Sequence, residues 1–134
     1  MSKISDIHAI QVFDSRGIPT ISCKITLDDG VSALSMVPCG ASTGTKEALE
    51  LRDNDKKRFL GKGLKGVIKK TQHQIFDAIC QKNLLDQKEI DNSLIELDGS
   101  KNKSNIGANM ILSLIHISEP TRPRLISYAV FCLK

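Results

Sequence analysis

The stretch TISCKITLDDG, residues 20–30, decides the fold. Its apolar residues alternate with polar ones, which predicts a half-buried strand whose inward side chains are Ile21, Cys23, Ile25 and Leu27. Asp29-Gly30 is a strong hairpin signal, so a returning strand is expected over 31–37. Ile10 and Val12 indicate an earlier strand that ends near Asp14. The sequence therefore predicts a three-stranded antiparallel meander over residues 3–37.

Downstream of the sheet, the hydrophobic pattern takes the period of a helix. A first helix is predicted from Leu64, Val67, Ile68, Ile75 and Ile79. Residues 86–89 are typical of a capping box, which predicts a second helix that ends at Asp98-Gly99. Its inward residues are Ile90, Leu94 and Leu97. Ser104 is the expected cap of a third helix through Ile106, Ala108, Ile111 and Leu112. A meander followed by helices is an α+β fold.

Composition narrows the class of protein. The 134 residues fit one domain, and 40% apolar with 25% charged residues is ordinary for a soluble globular chain. The net charge of +4 is mild and aromatic residues are few, so no nucleic-acid partner is expected. No apolar run reaches the roughly 20 residues that span a bilayer, and a charge comes too early for a signal peptide. We therefore expect a cytoplasmic protein with no membrane span. The spacing of the cysteines predicts free thiols at Cys23, Cys39, Cys80 and Cys132.

The segment VPCGASTG, residues 37–44, is the most suggestive of chemistry. Glycines let a backbone approach a ligand closely, and hydroxyl groups can bind a cation or a phosphate. The GxxxxGK[ST] pattern of a P-loop is not met. Composition alone favours a plainer interpretation, a turn in which Ser42 or Thr43 caps the next element.

Two charged segments admit a structural interpretation beside a functional one. Asp14 and Arg16 lie in a turn before Pro19, and they predict a structural salt bridge rather than a ligand contact. Basic residues recur across 56–70, and such a run is most often a solvated face. The alternative is a non-catalytic module that uses this basic face to bind RNA or an acidic protein. No set of nucleophile, base and acid can be assembled from the residues.

Several short motifs follow one another in a characteristic order. They are Asp14-Ser15-Arg16-Gly17 with Pro19-Thr20, Val37-Pro38 with Gly40-Ala41-Ser42-Thr43-Gly44, Glu47-Ala48-Leu49-Glu50-Leu51-Arg52-Asp53, Gly61-Lys62-Gly63, Leu97-Asp98-Gly99, Asn102-Lys103-Ser104, and Gly107-Ala108-Asn109 with Ile111-Leu112. In this order they resemble the N-terminal domain of the enolase family, over residues 1–114. The resemblance implies a three-stranded meander followed by helices, which agrees with the pattern above.

The resemblance also implies a chemistry. Enolases dehydrate 2-phosphoglycerate to phosphoenolpyruvate with two Mg²⁺ ions, and a lysine removes the proton beside the carboxylate. The base, the acid and the carboxylates of the first Mg²⁺ lie in a C-terminal barrel, which is absent here, so this fragment is expected to be inactive alone. The N-terminal domain supplies a loop that closes over the substrate, here Cys39, Gly40, Ala41, Ser42, Thr43 and Gly44. Ser42 matches the ligand of the second Mg²⁺. A homodimer or a higher homo-oligomer is implied for the full enzyme.

Some positions depart from the family pattern. Cys39 stands where serine is usual, Ile18 where asparagine is usual, and Ser22 where many members have a glutamate that helps to pair subunits. After Leu114 the sequence loses the family pattern and meets two prolines, which a helix does not tolerate. Residues 115–134 resemble a translated sequencing adapter or a frameshift. We therefore expect an enolase domain over 1–114 and a poorly ordered tail over 115–134.

Overall fold

The computed structural model describes residues 2–37 and 48–118, the last three of them by backbone alone. Three strands form one antiparallel sheet in the order β1-β2-β3. Their bounds are Ile4–Phe13 for β1, Pro19–Leu27 for β2 and Ser32–Val37 for β3. The meander predicted for residues 3–37 is confirmed.

The β2–β3 hairpin turns where the sequence predicts it. Gly30 has φ of 83°, the left-handed conformation that favours glycine. The Leu27 N–H donates to the Val31 carbonyl at 2.8 Å, and the Gly30 N–H donates to the Leu27 carbonyl at 3.0 Å. Three residues therefore form the loop, with glycine at the position that needs positive φ.

The central strand β2 is more buried than the alternation predicted. Ile21, Cys23 and Ile25 face the core as expected, but Ser22 on the opposite face is also buried. Ser22 pairs with Ile10 of β1 on one side and with Met36 of β3 on the other. Cross-strand neighbours on one face lie close together, so these two longer side chains shield the serine from solvent. The prediction of a half-buried strand was wrong in this part.

Three α-helices are found among the described residues, and two of them cover the core face of the sheet. The three helices are α1 Lys65–Ile79, α2 Gln87–Asp98 and α3 Ala108–Ser118. Helix α1 packs against β1, α3 packs against β2 and β3, and α2 contacts both other helices. The α+β fold is confirmed. None of these helices is long and apolar enough to cross a membrane within the described part of the chain.

The helix ends differ in detail from the prediction. The Asp86 carboxylate accepts from the Glu89 N–H at 3.0 Å, but the Glu89 carboxylate pairs with Lys82 at 2.8 Å instead of completing a capping box. Ser104 is not the cap of α3, which begins at Ala108 after Gly107. Gly99 ends α2 as predicted, with φ of 65°.

A short 3₁₀ turn, Phe59–Gly61, precedes α1. Three successive residues have positive φ there: 50° for Phe59, 55° for Leu60 and 87° for Gly61. Glycine adopts this conformation freely, but bulky L-residues rarely do. The ring of Phe59 meets that of Phe13 edge to face, with the centroids 5.1 Å apart.

Candidate functional site

The candidate loop Cys39 to Gly44, with the candidate metal ligand Ser42, lies outside the described residues. The structure does describe the chain on both sides of this loop. Val37 and Leu49 mark the two ends of the loop, and other residues hold each of them in place.

The N-terminal end of the loop is fixed at the close of β3. The Thr20 hydroxyl, which is buried, donates to the Val37 carbonyl. Arg52 reinforces the same corner, because its Nη1 donates to the Pro19 carbonyl and, at 3.0 Å, to the Lys62 carbonyl. Thr20 thus joins the start of β2 to the end of β3. Arg52 joins Pro19, at the start of β2, to Lys62.

The C-terminal end of the loop is fixed on α3. The Leu49 N–H donates to the Asn102 carbonyl, and the Leu49 carbonyl accepts from the Ala108 N–H, both at 2.7 Å. The side chain of Asn109 holds Leu51 in the same way. Its Nδ2 donates to the Leu51 carbonyl at 3.0 Å, and its Oδ1 accepts from the Leu51 N–H at 3.4 Å. The segment after the loop is therefore bonded to the first turn of α3.

Gly107 makes this attachment possible. A Cβ at this position would lie 2.7 Å from Oδ1 of Asn109, closer than real Cβ atoms come, and 3.0 Å from Cγ of Leu51, closer than most do. Its φ of 93° is also one that L side chains rarely adopt. The close passage of residues 49–51 over the start of α3 therefore requires glycine.

Asp53 caps α1 from a distant segment. Its carboxylate accepts from the Gly66 N–H at 3.0 Å and from the Val67 N–H at 2.8 Å. The first N–H groups of a helix have no partner within the helix, and an anion there is favoured by the helix dipole. Asp53 thus occupies the anion position at the start of α1.

Asp14 and Arg16 form a salt bridge of 3.4 Å in the turn after β1. Oδ1 of Asp14 also accepts from the Arg16 N–H at 2.8 Å and from the Ile18 N–H at 2.9 Å. Burial raises the pKa of the Asp14 carboxyl, but these N–H groups and the Arg16 guanidinium lower it, and the net pKa is below its ordinary value. The pair shapes the turn before β2.

Asp98 organises the loop between α2 and α3. Its side chain is 2% exposed, and its carboxylate accepts from the Ser100, Asn105 and Ile106 N–H groups and from the Ser100 hydroxyl. Burial raises the pKa of Asp98, but these donors lower it, and the net pKa lies below the ordinary value. The loop that carries Asn102 is therefore built around one buried carboxylate.

A cleft of about 250 Å³ lies between residues 51–53 and the start of α1. Its polar groups already have partners: Asp53 caps α1, Arg52 binds backbone carbonyls, and the Thr71 hydroxyl donates to the Val67 carbonyl at 2.8 Å. Lys70 also lines it. The cleft offers a ligand little beyond a single ammonium group.

The described residues contain no group of three or more His, Cys, Asp or Glu side chains that could hold a metal ion. The carboxylates of Asp14, Asp53 and Asp98 already accept hydrogen bonds from backbone N–H groups. Mg²⁺ prefers oxygen ligands and few protein carboxylates at a time. The described residues therefore show no carboxylate cluster that is free to hold Mg²⁺.

The sequence patterns gave no structural role to the residues that hold the loop ends. Thr20, Arg52, Gly107 and Asn109 lie within the family motifs, but no local period or spacing points to their partners. Gly107 was the best available signal, because it lay inside the predicted third helix, where a glycine commonly has a packing reason.

The fold defines an α+β domain in which a three-stranded meander packs against helices. A family model described as "Enolase, N-terminal domain" matches residues 4–116, which is most of the chain. The chain belongs to the enolase family.

Proposed function

We propose that this chain acts as the N-terminal domain of a phosphopyruvate hydratase, a carbon–oxygen lyase of glycolysis. The substrate is 2-phosphoglycerate and the product is phosphoenolpyruvate. Residues 39–44 form the loop that closes over the substrate, and Ser42 is a ligand of the second Mg²⁺. The observation that carries the proposal is the family match over residues 4–116, which spans these residues.

The attachments at the two loop ends support this role. Val37 is bonded to Thr20, and Leu49 is bonded to Asn102 and Ala108. Fixed ends limit where a short connecting segment can reach, so a hydroxyl within it is delivered to a restricted volume. In this proposal Gly40 and Gly44 give the backbone the freedom to close and to exclude water.

Mg²⁺, when bound, supplies positive charge beside the substrate carboxylate. The contribution of this chain is the oxygen of Ser42, which fits the preference of Mg²⁺ for oxygen ligands. The proton is handled by groups of a barrel domain, which needs about 250 residues, more than the 134 of this chain. We therefore expect the purified chain to form no phosphoenolpyruvate from 2-phosphoglycerate and Mg²⁺ in an assay freed of host enolase.

A chimera tests the proposal directly. Residues 1–114 would replace the N-terminal domain of a full-length enolase, and phosphoenolpyruvate formation would be measured over a range of Mg²⁺ concentrations. We expect an active chimera in which Ser42→Ala raises the Mg²⁺ requirement by about 10- to 100-fold, the effect typical of weakened metal ligation. Ser93→Ala removes a hydroxyl from α2 and should change nothing. An active chimera that is indifferent to Ser42→Ala would refute the metal role.

The full enzyme is, in this proposal, a cytoplasmic homodimer or higher homo-oligomer. The outer face of the sheet supports an interface, because Ile10, Leu34 and Met36 are exposed there. Contiguous exposed apolar side chains are typical of surfaces that another protein covers.

The division into a domain over 1–114 and a tail over 115–134 also stays a proposal. The family match reaches residue 116, and α3 reaches Ser118, so the boundary rests on the sequence pattern alone. Independent sequencing of the genomic locus across the Leu114 codon tests it. Finding the same codons for Pro120 and Pro123 in the genome would contradict an adapter origin.

A further inference from the structure

The turn before α1 carries the most exposed large apolar side chain of the described residues. Leu60 is 88% exposed, and Phe59 beside it is 43% exposed. Both have positive φ, which is strained for bulky residues. Asparagine or glycine would fit this backbone with less strain, and a polar side chain would suit the exposure. The fold therefore gains little from a leucine at this position.

Positive charge surrounds Leu60. Lys56, Lys57 and Arg58 precede it and Lys62 follows it, and all four side chains are exposed. We call residues 56–62 the basic turn. The salt bridges found among the described residues use other cations: Arg16, Arg52 and Lys82.

The charge continues into α1. Residues 56–70 contain seven Lys or Arg and no Asp or Glu. Lys65, Lys69 and Lys70 lie in the first two turns of α1 and are exposed. Lys65 lies in the first turn, where a cation opposes the helix dipole, so helix stability does not explain its presence.

We propose that the basic turn docks on an anionic lipid surface. Leu60 enters the interfacial region, where an apolar side chain is favoured, and the cations that flank it pair with lipid headgroups. Clusters of four to eight Lys or Arg on helices at a membrane surface commonly bind anionic lipids, and the basic turn carries four such residues. This interaction is independent of the proposed enolase role, which uses a different segment of the chain.

A lipid surface fits the turn better than a nucleic acid does. Non-specific binding of single strands depends on aromatic faces on which bases stack. Leu60, the most exposed large apolar side chain of the described residues, has no such face, and Phe59 is already engaged edge to face with Phe13. The basic turn therefore presents the exposed aliphatic side chain of Leu60 among positively charged side chains.

Vesicle co-sedimentation of the full 134-residue chain tests the proposal. We expect binding to vesicles of equimolar phosphatidylcholine and phosphatidylserine, little binding to phosphatidylcholine alone, and weakening as salt is raised. Leu60→Asn should weaken binding about tenfold, from the lost apolar burial. It should not unfold the chain, because asparagine tolerates positive φ. The triple variant Lys56→Gln, Lys57→Gln, Arg58→Gln should weaken binding about 100-fold.

Two controls match these variants elsewhere on the surface. Leu85→Asn removes another exposed leucine, and Lys24→Gln, Lys88→Gln, Lys101→Gln removes three exposed charges; neither should change binding. The proposal is overturned by absent binding to the anionic vesicles, by equal binding to both vesicle types, or by a Leu85→Asn effect as large as that of Leu60→Asn. It is also overturned if a single-stranded RNA oligonucleotide binds more tightly than the vesicles and is unaffected by Leu60→Asn.

Discussion

Asn109 holds Leu51 through both atoms of its side-chain amide. The Nδ2 donates to the Leu51 carbonyl at 3.0 Å, and the Oδ1 accepts from the Leu51 N–H at 3.4 Å. A side chain that pairs with both backbone groups of one residue acts as a substitute strand partner. Residues 49–51 have no strand neighbour in the part of the chain that the structure describes, so Asn109 supplies what a sheet would otherwise supply.

Replacement of Asn109 by alanine should release Leu51. The loss leaves a carbonyl and an N–H of the part-buried Leu51 without these partners, a cost of about 1–3 kcal/mol. We therefore expect the Leu51 amide hydrogen to exchange about 10- to 100-fold faster in Asn109→Ala, measured by NMR. The exposed Asn92 on α2 provides the control, since Asn92→Ala should leave Leu51 protected. Unchanged exchange at Leu51 in Asn109→Ala would show that Leu51 is held by other contacts.

Two of the buried serines, Ser35 and Ser113, should respond to alanine in opposite directions. The Ser35 hydroxyl is buried without a hydrogen-bond partner among the described residues, whereas the Ser113 hydroxyl donates to the Met110 carbonyl at 2.7 Å. Removing an unpaired buried hydroxyl should stabilise the fold by about 1 kcal/mol. Removing the bonded one should destabilise it by about 1 kcal/mol. Urea titration of both variants checks this, and a loss of stability in Ser35→Ala would indicate an unrecognised partner.

The Cys23 thiol should be inert in the folded chain. Burial raises the pKa of Cys23 to about 12, although a hydrogen bond with Ser113 lowers it somewhat. The thiolate is the reactive form, so alkylation of Cys23 should stay slow at pH values well below 12. The pKa of Cys23 is higher in the folded chain than in the unfolded chain, so folding favours the neutral thiol. The contribution of this thiol to stability is fully present below the unfolded pKa, and it is lost as the pH rises through the folded pKa. Peptide mapping after maleimide labelling should find Cys80, which is partly exposed, modified before Cys23.

The sheet could be predicted from the sequence because alternation directly determines which side chains share a face. Ile21, Cys23 and Ile25 lie inward for that reason. The burial of Ser22 could not be predicted, since it depends on Ile10 and Met36 in the neighbouring strands. A period within one segment carries no information about what covers its other face.

The residues that hold the loop ends could not be predicted either, because their partners lie far away along the chain. The Asn109 partner is 58 residues away in sequence, and the Pro19 carbonyl is 33 residues from Arg52. Asp53 caps α1 from outside the helix, whereas the local cap pattern looks only at the residues just before it. The Asp86 cap of α2 is local. The capping-box prediction was correct for the bond that Asp86 accepts and wrong for the reciprocal bond from Glu89.

Asp98 should make the fold sensitive to acid. Because its folded pKa lies below its ordinary value, the ionised carboxylate stabilises the fold above the unfolded pKa, and this stability is lost as the pH falls through the folded pKa. The Asp98 carboxylate accepts hydrogen bonds through both oxygens, whereas the amide of Asp98→Asn has one oxygen and one NH₂ group that cannot accept. The substitution should therefore lower the free energy of unfolding by about 2–3 kcal/mol near neutral pH. The difference from the parent chain should narrow in acid, because the parent then loses the same charge. Urea midpoints measured across the acid range check this, with the exposed Asp77→Asn as the control. A difference between Asp98→Asn and the parent that stays constant down to strong acid would mean that the carboxylate is not the source of the stability.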